Sequence, residues 1–222
     1  MRNPVETRST LLETALQLIW QSNYSSVGVN EICSQAGVTK GAFYHHFQTK
    51  ADLYCAASGH YWEGMKAELD RIFSPSNPPL SQLERLIEFV LERQRAGRDE
   101  QSGVVRPEVS GCPFFTAGGQ AGNDEEKVRL VAIEMCEFGV RYNVALVRAL
   151  KADGCLNGDP SSEQVGRLVY EFIQGLLIYG RILNRLDAVE KDLRDGIYRL
   201  LDLKHAHRSP SMPLTESVAT AT

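Results

Sequence analysis

Apolar residues recur every three or four positions along almost the whole chain. Leu12, Ala15, Leu16, Ile19 and Trp20 hold the i, i+3, i+4, i+7, i+8 spacing of one helix face, and Val29, Ile32, Cys33 and Ala36 repeat it over a shorter stretch. The spacing predicts further helices over about 51–73, 80–97, 124–152, 161–185 and 189–203. Prolines in "SPSNPP" (74–79) stop one of them, because proline lacks the donor that continues a helix. An Asn-Asp-Glu-Glu run opens the helix at 124, where acidic residues suit the positive helix end. The segment 98–123, rich in Gly and Pro, reads as loop with one short helix. No period-2 alternation marks a strand, so the fold class is all-α.

The 222 residues, 43% hydrophobic, suffice for a small domain joined to a larger one. No apolar run approaches the roughly 20 residues that span a bilayer, and the polar N-terminus carries no signal-peptide pattern. Five cysteines, at 33, 55, 112, 136 and 155, form no close pairs, which suits reduced thiols and a cytoplasmic protein. There is no CxxC or HxxxH spacing, so neither a metal nor a cofactor is implied.

The stretch "GVTKGAFYHHFQTK" (37–50) carries the functional signal. Helices at about 29–35 and 39–46, joined by a glycine-containing turn, have the spacing of a helix-turn-helix. Thr39 is a suitable cap for the second helix, and Phe43 and Phe47, four apart, share its inner face. Gly41 and His45 share another face, and Gly41 lets the backbone approach a duplex. Lys40, Tyr44, His45, His46 and Lys50 can donate to phosphates or base edges. The net charge of the whole chain is −4. Residues 1–60 balance Arg2, Arg8, Lys40 and Lys50 against Glu6, Glu13, Glu31 and Asp52, so few ionic phosphate contacts and a shallow salt dependence are expected.

The run "ETRSTLLETALQLIWQSNYSSVGVNEICSQAGVTKGAFYHHFQTKADLY" resembles the DNA-binding domain of the TetR family of transcriptional regulators, over roughly residues 6–54. The resemblance implies a three-helix DNA-binding domain (1–50), a larger helical domain for effector binding and dimerisation (51–203), and a disordered tail (204–222). It implies Thr39, Lys40, Gly41, Tyr44 and His45 at double-stranded operator DNA and Lys50 on a phosphate. Family members often carry Thr or Ser just before the second helix; here Val27 and Gly28 stand there. The implied function is a homodimeric repressor released from its operator when a small-molecule effector shifts the helix 51–73.

Beyond residue 54 the likeness is architectural. Trp62, Phe89, Cys112, Phe138, Tyr142, Phe172 and Tyr179 are the expected effector-binding residues, with Glu137, Arg141 or Asn143 as polar anchors. The helix 161–185 offers a dimer face, where Gly166, Gly175 and Gly180 would permit close helix approach. "SGCPFFTAGGQAG" (110–122) contains a Gly-Cys-Pro motif similar to one in a subset of the family. Cys112 there is either a structural side chain fixing the turn or a reactive thiol. The second option leads to the alternative function, an all-helical thiol-dependent enzyme or a redox or electrophile sensor. A helical protein-interaction module is the third.

Overall fold

The computed structural model describes residues 3–95, 109–120 and 126–208. Among the described residues there are nine α-helices and a short 3-10 turn, with an isolated bridge between Leu156 and Leu203 in place of any strand. The helices are α1 (Pro4–Gln21), α2 (Val29–Ala36), α3 (Lys40–His46), α4 (Lys50–Ile72), α5 (Pro79–Arg95), α6 (Pro113–Gln120), α7 (Glu126–Ala152), α8 (Ser162–Leu183) and α9 (Leu186–Leu200). No described helix is long and apolar enough to cross a membrane.

Local chemistry sets the helix ends. Asn3 and Glu6 close a capping box over the start of α1, whose first residue, Pro4, has no N–H to leave unpaired. α7 stops at Gly154 and α8 at Asn184, both in the left-handed conformation, each with the paired backbone bonds that satisfy the last carbonyls. The prolines of the 74–79 turn have help that the sequence reading did not anticipate. Asn77 donates to the Arg71 and Ile72 carbonyls at 2.8 and 2.9 Å, and buried Gln82 reaches back to the carbonyls of Ser74 and Asn77.

α1, α2 and α3 pack as one small unit around Leu11, Ile32 and Phe43, all fully buried. α4 leaves this unit, packing first on α1 and then on α7. The larger unit is built by α5, α7, α8 and α9, with α6 held between α1 and α7. Two of the three glycines of α8 serve this internal packing. A Cβ on Gly166 would stand 2.6 Å from the Val144 backbone, and one on Gly180 would stand 2.4 Å from Val189. Gly175 alone of the three is exposed, with open space around it.

The segment after α9 is ordered at its start. Lys204 donates to the Gly154 carbonyl at 2.7 Å, its backbone N–H bonds Cys155, and His205–His207 forms the 3-10 turn. The remainder of the expected tail, 209–222, lies outside the described residues.

Candidate nucleic-acid interface and effector cavity

The turn between α2 and α3 is held by backbone geometry. Gly37 sits at φ 63°, ψ 38°, a conformation that costs any L side chain about 1–2 kcal/mol. There the Val38 N–H bonds the Cys33 carbonyl and the Gly37 N–H bonds that of Ser34. Thr39 Oγ1 then accepts the Ala42 N–H at 3.1 Å and starts α3. Phe43 is fully buried and Phe47 nearly so, which anchors the inner face of α3. The outer face carries Thr39, Lys40, Gly41, Tyr44 and His45, all exposed. A Cβ at Gly41 would meet only Thr39 Oγ1, at 3.8 Å, so this edge is open to a close approach.

Lys50 stands apart from that edge. It is half-buried at the first turn of α4, where its ammonium donates to the Tyr24 carbonyl at 2.9 Å and lies 4.1 Å from the centre of the Tyr24 ring. This cation therefore ties α4 to the segment between α1 and α2. Arg8, which the sequence reading counted but did not single out, lies over the Phe47 ring at 5.5 Å. Burial, the neighbouring His45 and Arg8 together hold the His46 pKa below the usual imidazole value. The N-terminus of α4 is capped by Thr49, and Asp52 in its first turn pairs with Lys127 of α7 at 2.8 Å.

Behind this unit the larger domain holds a cavity of about 120 Å³, open on one side. Its lining is mostly apolar and aromatic with a few polar groups, the character of a small-molecule site. Four of the seven expected residues line it: Trp62, Phe89, Cys112 and Tyr142. Three do not. Phe138 lies behind the wall, stacked on Trp62 at 4.6 Å between ring centres with Arg141 over its other side. Phe172 turns toward α9, where its ring fills the space a Cβ on Gly196 would need. Tyr179 is 56% exposed on the outer side of α8. Of the expected polar anchors, Asn143 lines the cavity, whereas Glu137 and Arg141 form an exposed pair at 3.8 Å.

The cavity also takes residues outside the expected effector-binding set. Arg93 and Gln94 enter from α5, Tyr170 and Gln174 from α8, and Trp20 from α1. Trp20 donates its indole N–H to the Gly111 carbonyl at 3.1 Å, and the Gly111 N–H is held by Gln94 Oε1 at 3.0 Å. Gly111 lies at φ 74°, the reason for glycine before Cys112. Cys112 is partly accessible only because it faces the cavity; it is deep in the molecule, and desolvation pushes its thiol up to about 11. A protonated thiol is a poor nucleophile, which argues against the alternative enzyme or sensor reading.

Residues 11–57 match the profile of bacterial regulatory proteins of the tetR family. The chain is 39% identical over 203 residues to the HTH-type transcriptional regulator AcrR of Shigella flexneri, covering 89% of each protein. It is 42% identical over 192 residues to the HTH-type transcriptional repressor NemR of Escherichia coli, covering 85% of this chain and 90% of that protein. A TetR-family transcriptional regulator from Agrobacterium tumefaciens superposes with a TM-score of 0.78 at 18% identity, covering 89% of this chain and 98% of that one. Sequence match, fold and the exposed helix-turn-helix agree: the chain belongs to the tetR family of bacterial regulatory proteins, which are DNA-binding transcriptional repressors.

Proposed function

We propose that this repressor grips its operator as a homodimer and releases it when a small effector enters the cavity behind the reading unit. The observation that carries this reading is a shared wall. α1 belongs to the unit that presents α3, yet its Trp20 lines the cavity and bonds Gly111 beside Cys112. Arg181 of α8 adds a second link, donating to the carbonyls of Ser110 at 2.7 Å and Ser22, just past α1, at 2.9 Å. An effector that displaces residues 110–113 acts on both bonds, and α4 carries motion alongside them. Only a difference in effector affinity between the two states drives the release.

In this reading Tyr44, His45, Lys40 and Thr39 donate to phosphates or base edges, and Gly41 lets the helix seat deeply in the major groove. Lys50, fixed over Tyr24, adds its charge beside a phosphate near the start of α4. Leu168, Phe172, Gly175, Tyr179 and Ile182 recur at spacings of four and three along α8. With Leu168 39%, Tyr179 56% and Ile182 75% exposed, this stripe suits a twofold partner. A twofold pair of recognition helices reads half-sites about 34–36 Å apart. DNA binding gives the cytoplasm as the site of action.

The test begins with genomic fragments retained by the purified protein, sequenced to find the operator. Tyr44 is 57% exposed, so Tyr44→Ala alters stability by no more than about 0.5 kcal/mol. We expect this variant to lose operator binding in a mobility shift while its melting curve and dimeric mass stay unchanged. Full operator affinity in both Tyr44→Ala and His45→Ala, or a strictly monomeric protein, refutes the reading.

A further inference from the structure

Among the described residues the cavity walls are apolar and aromatic apart from the amide and guanidinium side chains of Arg93, Gln94, Asn143 and Gln174, and none of the lining residues is an Asp, Glu, Lys or His. Two of these four are already engaged. Gln94 accepts from Gly111 through Oε1. The Arg93 guanidinium donates to the Tyr61 hydroxyl, lies 4.9 and 5.4 Å from the ring centres of Tyr61 and Phe89, and has Glu68 at 3.9 Å.

The other two are not. Asn143, 5% exposed, donates through Nδ2 to the Gly139 carbonyl at 2.9 Å in its own helix. That bond fixes the amide orientation and leaves Oδ1 over, with no donor. Gln174, 7% exposed on the neighbouring α8, likewise has Oε1 without a donor. Buried acceptors are rarely left so, because they lose hydration and gain nothing in return. Water can serve them in the unliganded protein, but a ligand that displaces that water must reproduce its hydrogen bonds.

The charge of such a ligand is restricted as well. A carboxylate brings further acceptor oxygens toward Asn143 and Gln174 and offers them no proton. Among the described residues a cation finds no carboxylate on the walls and meets Arg93, so nothing there compensates its desolvation. Resting on the effector-cavity reading above, we infer that the effector is an uncharged, largely aromatic molecule whose O–H or N–H protons go to Asn143 Oδ1 and Gln174 Oε1, one proton to one acceptor.

Four probes sharing one ring system separate the possibilities by calorimetry on the full chain at pH 7. They are 2-naphthol, 2-methoxynaphthalene, 2-naphthoate and 2-naphthylmethylammonium. We expect 2-naphthol to bind at least about tenfold more tightly than the other three, since a site built to meet a donor rejects analogues that lack one. The one proton of 2-naphthol reaches one acceptor at a time, so the double variant Asn143→Leu/Gln174→Met, which removes both acceptors, should bring 2-naphthol and its methyl ether to within about twofold. Either single variant, Gln174→Met or Asn143→Leu, should keep part of the preference for 2-naphthol. Equal binding of 2-naphthol and its ether, tighter binding of either ion, or no binding by any probe overturns the inference. Operator release is scored separately: a probe that binds with the expected selectivity yet leaves the DNA complex intact counts against the repressor-release reading and leaves the ligand class standing.

Discussion

Arg181→Met cuts the link between α8 and the reading unit while keeping most of the side-chain stem. The guanidinium makes charge-assisted bonds to Ser110 and Ser22, at 2.7 and 2.9 Å. Such bonds contribute about 1.5–3 kcal/mol each when desolvated. They are not equally sheltered: the bond to Ser110 is partly buried and that to Ser22 is exposed, so water can replace the second at little cost. Burial also pulls the Arg181 pKa below the usual arginine value, a sign that part of the gain is spent on desolvation. A net loss of about 2 kcal/mol follows, or roughly 4–8 °C in the melting midpoint of a chain this size. Melting alone cannot separate a strut from a transmitter. The operator dissociation constant should therefore be measured with and without a saturating probe. An allosteric coupling of ordinary size, about 1–3 kcal/mol, corresponds to a ratio of roughly 5–150 between the two constants. If Arg181 transmits, the ratio falls severalfold in Arg181→Met while the unliganded operator affinity changes little. A midpoint within about 1 °C of the parent, together with an unchanged ratio, refutes the reasoning.

Two further predictions concern single residues. Gly41→Ala replaces an exposed glycine in the first turn of α3 whose Cβ has room, so it should stabilise the fold by roughly 0.4–1 kcal/mol through the lower entropy of the unfolded chain. The same methyl group stands between α3 and the duplex, and operator affinity should drop at least about tenfold; a stabilised protein that binds DNA as before rules out close approach at this position. Cys112, with its thiol near 11 against an unperturbed 9.0, has about one hundredth of the ordinary thiolate fraction at pH 8. Alkylation by iodoacetamide, followed by peptide mass spectrometry, should be about 100-fold slower in the folded protein than in urea, and equal rates would restore the reactive-thiol alternative. Because the folded thiol keeps its proton above the unfolded value, its contribution to stability is complete below pH 9 and is lost as pH rises through about 11.

What the sequence disclosed follows from the range of the forces involved. The helix-turn-helix was legible because its determinants are local: Gly37 for the left-handed turn, Thr39 for the cap, and Phe43 and Phe47 four apart on one face. Periodicity identified which residues are apolar in a helix but not what lies opposite them. Trp62 and Phe138 are equivalent by pattern, yet one lines the cavity and the other stacks behind it. Gly166 and Gly180 were read as a dimer face, and the close approach they permit is to α7 and α9 of the same chain. The least legible residues are polar ones in the cavity wall. Asn143 was one of three expected anchors, but nothing local set it apart from exposed Glu137 and Arg141, and Gln94 and Gln174 sit at positions where a polar side chain on a helix is ordinarily taken as solvent-facing. Only tertiary packing buries them, and no local spacing announces it.

The position of the cavity also bears on how a signal leaves it. The expected route ran through α4, which is continuous with the reading unit. In the structure the cavity wall already contains part of that unit, since Trp20 is a residue of α1. The Trp20 indole is bonded to Gly111, its ring meets Tyr61 edge-on at 5.1 Å, and Tyr61 in turn receives the Arg93 guanidinium. A ligand that contacts any of these three side chains therefore works on α1 directly, one hydrogen bond away from the 110–112 turn. Two independent attachments, α4 by covalent continuity and α1 by Trp20 and Arg181, fix both the position and the tilt of the reading unit. In the proposed homodimer, a change at one attachment alone tilts the unit about the other and alters the separation of the two recognition helices. The Trp20–Gly111 and Arg181–Ser110 bonds are thus the contacts through which occupancy of the cavity bears on the tilt of the reading unit.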